Sequence, residues 1–142
     1  MQKKIRQDLN QAIKEREELK TSVLRMLLAE IQNREKEKRY KEKLSEEASL
    51  SDDELIAVIS SEAKKRREAM EILDAVRAEK EKKELEILLD YLPEQLTDDE
   101  IISLIRESGQ TEIGKIMAQV MPKVKGRADG SRVGRLAKEF LL

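Results

Sequence analysis

From Ser51 to Leu92 no glycine or proline interrupts the chain. A stretch that long without a breaker, built largely from Glu, Lys, Ala, Leu and Ile, folds as one long helix or as two that meet near Val76 to Glu79. Its start is marked by Ser51-Asp-Asp-Glu54, a capping box in which the serine oxygen accepts from the amide three residues on and the glutamate reaches back. Leu55, Ile56, Ile59, Ala63, Met70 and Leu73 then fall on one stripe, and Leu85, Leu88, Leu89 and Leu92 supply the last apolar face. Pro93 is expected to end it, because the residue before a proline is pushed out of the helical region. Only 2% of residues are aromatic against 39% hydrophobic and 42% charged. The core is therefore aliphatic and the fold class all-α.

The flanking segments carry the same helical period. Ile5, Leu9, Ala12 and Ile13 predict a short amphipathic helix ending near Arg16 to Leu19, and a second is expected to begin at Thr21 or Ser22 with Val23, Leu24, Leu27, Leu28 and Ile31 inward. Arg34 to Lys43 is almost wholly charged, hence a solvated helix extension or a mobile segment. Between Ile31 and Leu50 only Tyr40, Leu44 and Ala48 interrupt the polar residues, so no coiled-coil seam survives. Thr97-Asp-Asp-Glu100 is a second capping box, followed by Ile101, Ile102, Leu104 and Ile105, with Gly109 as the stop. Thr111 is expected to cap a helix carrying Ile113, Ile116, Met117, Val120 and Met121 as far as Gly126, bent at Pro122; Asp129 opens a last one with Val133, Leu136, Ala137, Phe140 and Leu141. The predicted organisation is an N-terminal helical bundle of long helices over 1–92 and a smaller three-helix domain over 93–142.

Several chemistries are removed at once. The chain has no histidine and no cysteine, which eliminates the usual neutral-pH proton shuttle, the thiol nucleophile and every Cys/His metal site. Gly109 to Ile116 nearly spells a phosphate-binding loop, but the last position needs Ser or Thr for magnesium and holds Ile116, and no strand precedes it. Ser61-Glu-Ala-Lys64 fits a serine-acylase spacing without any supporting motif. No catalytic residue, metal or cofactor is predicted. Lys64-Lys-Arg-Arg67 points around most of a helix, so at least one stem must lie against the bundle, with Glu62, Glu68 and Glu71 available for pairing along it. The greasiest run, Val23 to Ile31, is short and contains Arg25 and Glu30. A cytoplasmic protein with no membrane partner is the expectation.

Charge is distributed unevenly. Pro93 to Glu112 holds six acids against Arg106, net −5, whereas Ile113 to Leu142 holds seven Lys/Arg against Asp129 and Glu139, net +5. Within the basic part, Met121-Pro-Lys-Val-Lys-Gly-Arg-Ala-Asp-Gly130 joins a helix stop to a helix start. Gly126 suits the left-handed conformation that closes a helix, and Asp129 suits the free amides of the next. Lys123, Lys125 and Arg127 are thereby gathered where two helix ends meet, and Lys115, Arg132, Arg135 and Lys138 add to the local excess. Such a corner suits a polyanion. With no aromatic stacking platform beside this basic set, the chain is not expected to resemble single-strand readers that stack bases, and backbone and shape recognition of a folded RNA is the expected mode.

Ile116 to Gly130, together with Tyr91-Leu-Pro-Glu-Gln-Leu96 and Val23-Leu-Arg-Met-Leu-Leu-Ala29, closely resembles the YqeY family over essentially the whole chain. That family is similar to the C-terminal tail of the B subunit of the tRNA-dependent aspartyl/glutamyl amidotransferase, where the tail helps hold the misacylated tRNA. The resemblance implies a helical bundle followed by a smaller helical domain, and it singles out Lys123, Lys125, Gly126, Arg127, Asp129 and Gly130. The leading expectation is an accessory protein that binds tRNA, or a tRNA-bearing complex, by positioning rather than bond making. The alternatives are a carbon–nitrogen ligase with glutamine as amido donor, implied only by the relatedness, and a protein-interaction module using the charged helices from Arg34 to Lys83. A chain lacking a nucleophile–base pair and a nucleotide loop opposes catalysis on its own.

Overall fold

The computed structural model describes residues 1–42 and 49–142, and among these no strand forms. Lys43 at the end of the charged run, and Leu44 and Ala48 beyond it, lie outside the described residues. The chain divides into two compact units, Met1–Tyr91 and Leu92–Leu142. The first holds α1 (Gln2–Lys14), α2 (Glu18–Lys41), α3 (Asp52–Ile72) and α4 (Ala75–Leu89); the second holds α5 (Asp98–Ser108), α6 (Ile113–Val120), a 3₁₀ turn over Met121–Lys123 and α7 (Gly130–Leu141).

In the first unit α1 packs on α2, α3 on α4, and α2 meets both members of the second pair. Ile5 and Ala12 of α1, Val23, Leu24, Leu27, Leu28 and Ile31 of α2, and Leu55, Val58, Ile59, Ala63, Leu85 and Leu88 of the second pair form the buried interior. Each large aliphatic side chain so buried contributes roughly 1.5–3 kcal/mol relative to exposure. Ile13, expected inward, is 45% exposed, whereas its neighbour Ala12 in the same last turn of α1 is buried. The chain reversal after α1 is made by Arg16, a non-glycine residue at φ 57°. The second helix accordingly begins at Glu18, three residues before the expected Thr21, with Glu17 as an N-cap that makes no side-chain cap bond.

The capping box at Ser51 forms as expected, with Glu54 N donating to Ser51 Oγ at 3.2 Å and Ser51 N to the Glu54 carboxylate at 3.0 Å. The breaker-free run is two helices, but they meet at Leu73 and Asp74 rather than at Val76 to Glu79. Both residues are extended, and Asp74 starts α4 by accepting from Arg77 N at 2.9 Å. A carboxylate that satisfies an orphan amide supplies the local break that glycine or proline would otherwise provide. Pro93 does not set the end of α4, which closes at Leu89. Leu92 is therefore not part of its last face.

Three polar connections tie distant parts of this unit. Tyr91 donates its hydroxyl to Asp8 at 2.6 Å, and burial, reinforced by that carboxylate, raises its pKa above the ordinary phenol value. Lys38 reaches Glu54 at 2.8 Å and the Ser49 carbonyl at 3.0 Å. Its hydrogen bond, with those from Ser51, lowers the Glu54 pKa to about 2. Arg66, the cation of the Lys64 to Arg67 run that turns inward, lies 3.1 Å from Glu81 and 2.8 Å from Glu84 on α4. Burial raises the Glu84 pKa while Arg66 pulls it back.

Candidate functional site

The second unit is built on a core of Leu96, Ile101, Ile105, Ile116, Val120, Val124, Val133, Leu136 and Ala137. Thr97 caps α5 in a complete box, and Gly109 ends it at φ 66°. Thr111 does not cap the next helix. Glu112 takes that position without a side-chain cap bond, and α6 stops at Val120, where Pro122 tightens the chain into the 3₁₀ turn instead of bending a longer helix.

The predicted corner follows directly. Val124 is fully buried, and its flanking neighbours Lys123 and Lys125 are exposed. One apolar anchor thus fixes the backbone from which two ammonium groups project. Arg127 N donates to Val124 O at 2.7 Å and Ala128 N to the same carbonyl at 3.1 Å, a closure that places Gly126 at φ 76°. A side chain there would carry the left-handed penalty of roughly 1–2 kcal/mol.

A strap over residues 93–96 clamps the turn from outside. Leu96 N donates to Arg127 O at 2.9 Å, and Gln95 Nε2 donates to Gly126 O at 2.8 Å and to Pro93 O at 3.0 Å. Arg127 Nε donates to Glu94 O at 3.0 Å, leaving its cationic charge at the corner while its stem braces the strap. No local pattern announces the pairing of strap and turn, since the two lie some thirty residues apart; Gln95, within the Tyr91 to Leu96 motif, is the neighbour of the corner that sequence reading did not place there.

The remaining predicted residues are placed differently. Asp129 occupies the N-cap position of α7 in an extended conformation, but its carboxylate makes no capping hydrogen bond, contrary to expectation. Gly130 opens α7 beside Met121, whose Cε would sit 3.4 Å from an added Cβ. Arg132 donates through Nε to Asp98 at 2.7 Å and through Nη1 to Leu96 O at 2.9 Å, which makes it a half-buried clamp on the strap. Lys115 lies near the start of α6, beyond whose far end the corner begins, 3.7 Å from Glu112; Arg135 lies 3.5 Å from Glu139. Lys138 is exposed in the last turn of α7. Among the described residues, Lys123, Lys125 and Arg127 have no carboxylate within 4.0 Å. The structure thus brings together the run from Lys123 to Gly130, and sets Lys115, Arg132 and Arg135 apart as cations already matched to acids.

No described cluster of three or more carboxylates is disposed to hold a metal ion, and no described helix is long and apolar enough to cross a membrane. An all-helical chain whose smaller unit presents a clamped, cationic turn is the class that fold and geometry define. The sequence matches the family of Yqey-like proteins over residues 2–141, and the chain belongs to that family. A 35-residue stretch is also 54% identical to the E subunit of the glutamyl-tRNA(Gln) amidotransferase of Methanopyrus kandleri, covering 25% of this chain and 6% of that protein. The family is thereby related to an amidotransferase subunit, of which the chain spans only a small part.

Proposed function

We propose that this protein is an accessory factor that binds tRNA, alone or within a tRNA-bearing complex, through the corner formed by Lys123, Lys125 and Arg127. The observation that carries this reading is the contrast between those three cations and Lys115, Arg132 and Arg135; Lys138, also without an acid within 4.0 Å among the described residues, stands apart from the corner in the last turn of α7. Lys115, Arg132 and Arg135 each have an acid within 4.0 Å, whereas the corner cations have none among the described residues. Cations held at fixed separation by a buried valine and a braced backbone meet a phosphate contour with little ordering cost. The amides around Gly126 and Gly130 add donors at close approach, and the similarity to part of a glutamyl-tRNA(Gln) amidotransferase favours tRNA as the folded RNA. The chemistry is positioning, with no bond made or broken by this chain.

Because Arg127 also braces the strap, the clean test replaces only Lys123 and Lys125. The double alanine variant is expected to lose roughly tenfold or more in tRNA affinity, the scale of two missing phosphate contacts, with unchanged helical circular dichroism. Wild-type protein is expected to prefer tRNA over duplex RNA of equal length. Undiminished binding by the double variant would remove the corner from the interaction.

A further inference from the structure

The outward face of α2 is chemically unlike its other sides. The acids on and near the charged run have partners or sites on its other sides, Glu42 among them as a lining residue of the recess described next. Glu30 pairs with Arg34 at 3.0 Å, Glu35 accepts from Gln2 of α1 at 3.0 Å, and Glu37 lines a recess of about 310 Å³ shared with Leu50, Glu54 and Val58. Successive helical residues turn by about 100°, so Arg25, Gln32, Lys36, Arg39 and Tyr40 share the opposite side over about 22 Å of axis. All five are exposed, and Arg25, Lys36 and Arg39 have no acid within 4.0 Å among the described residues. Tyr40, one of only three aromatic residues in the chain, is 87% exposed. A ring so placed contributes nothing to the core, and it stands one helical turn from Lys36 and beside Arg39.

An exposed aromatic flanked by unmatched cations is the combination that holds unpaired nucleotides. The ring stacks on a base of any identity and the cations take the neighbouring phosphates. We infer that the Lys36–Arg39–Tyr40 face of α2 is a stacking contact for an unpaired nucleotide of the bound RNA. This inference rests on the RNA-binding reading and adds a second, chemically different site on the other unit. Tyr40 supplies the ring face, while Lys36 and Arg39 supply phosphate contacts. The corner at Lys123 to Arg127 reads backbone contour only.

The test uses the full chain with three RNAs: tRNA, a twelve-nucleotide oligo(A) and a blunt duplex. Tyr40→Ala is expected to weaken binding of tRNA and oligo(A) about tenfold while leaving the duplex within twofold. Tyr40→Phe, which keeps the stacking surface, is expected to stay within about twofold of wild type on all three. Because the chain has no tryptophan, oligo(A) should also quench the intrinsic tyrosine fluorescence, and Tyr40→Ala should abolish that quenching. Tyr40→Ala binding tRNA and oligo(A) as tightly as wild type overturns the inference and is the result expected if this face serves a protein instead. Equal losses on duplex and single strand overturn it as well, since charge alone would then suffice. Failure of the wild type to bind any RNA overturns this inference together with the corner, whereas loss confined to the Lys123/Lys125 variant overturns this inference alone.

Discussion

The two units hold their shape by different means. In Leu92–Leu142 the box at Thr97 and the left-handed glycines at 109 and 126 act locally, and the long-range polar ties between strap, turn and α7 end largely on backbone carbonyls, those of Arg127, Gly126, Glu94 and Leu96. In Met1–Tyr91, where Ser51 and Asp74 cap α3 and α4 while α1 and α2 lack side-chain caps, the long-range polar ties run chiefly from side chain to side chain. The smaller unit is therefore the one suited to presenting charges at fixed spacing. The larger one depends on a few buried or shielded ionic contacts whose loss is felt across helices.

The most damaging way to break this contrast is Arg66→Met. It would leave Glu81 and Glu84 facing each other with side chains only 19% and 11% exposed, and a buried pair deprived of one partner typically costs about 3–5 kcal/mol. Urea unfolding should show a loss of about 3 kcal/mol. A change below about 1 kcal/mol would mean that α3 and α4 are held by apolar packing alone.

A smaller effect is expected from Gly109→Ala. No atom lies within 4 Å of the added Cβ, so only the positive φ opposes it, and a loss of about 1 kcal/mol in the same assay is expected. Replacing Arg16, already left-handed at φ 57°, with Gly should act in the opposite direction by relieving that conformation, with a gain of up to about 1 kcal/mol.

The gentlest probe is pH. The Lys38 hydrogen bond lowers the Glu54 pKa from 4.5 to about 2. A depressed carboxylate contributes stability that is fully present above the unfolded value and lost as pH falls through the folded one, so the window runs from about 4.5 down to about 2. Glu54→Gln should flatten the acid limb of the stability curve within that window. An unchanged limb would place the acid sensitivity elsewhere.

What could be read from the chain depends, in both units, on how local each signal is. The starts at Ser51 and Thr97 and the stop at Gly109 were legible because donor, acceptor and backbone preference all lie within four residues. The start at Glu18 was not, since neither Glu17 nor Arg16 is a residue type that normally marks a boundary. The break at Asp74 carried a signal, an Asp three residues before an amide it can satisfy, but the absence of glycine and proline masked it. Likewise the positions of Lys123, Lys125 and Gly126 followed from sequence, whereas the duties of Arg132 and Arg127 did not. Asp98, Glu94 and Leu96 become their neighbours only when the strap folds back, and the capping role expected of Asp129 gave way to a backbone-only cap.

The most direct measurement is the salt dependence of tRNA affinity between 50 and 200 mM for wild type and for the Lys123→Ala/Lys125→Ala variant. With about four phosphates engaged, wild-type affinity should fall roughly a hundredfold across that range, and the variant's log–log slope should be shallower by about two. Parallel slopes would contradict the assignment of the corner as the phosphate-reading surface.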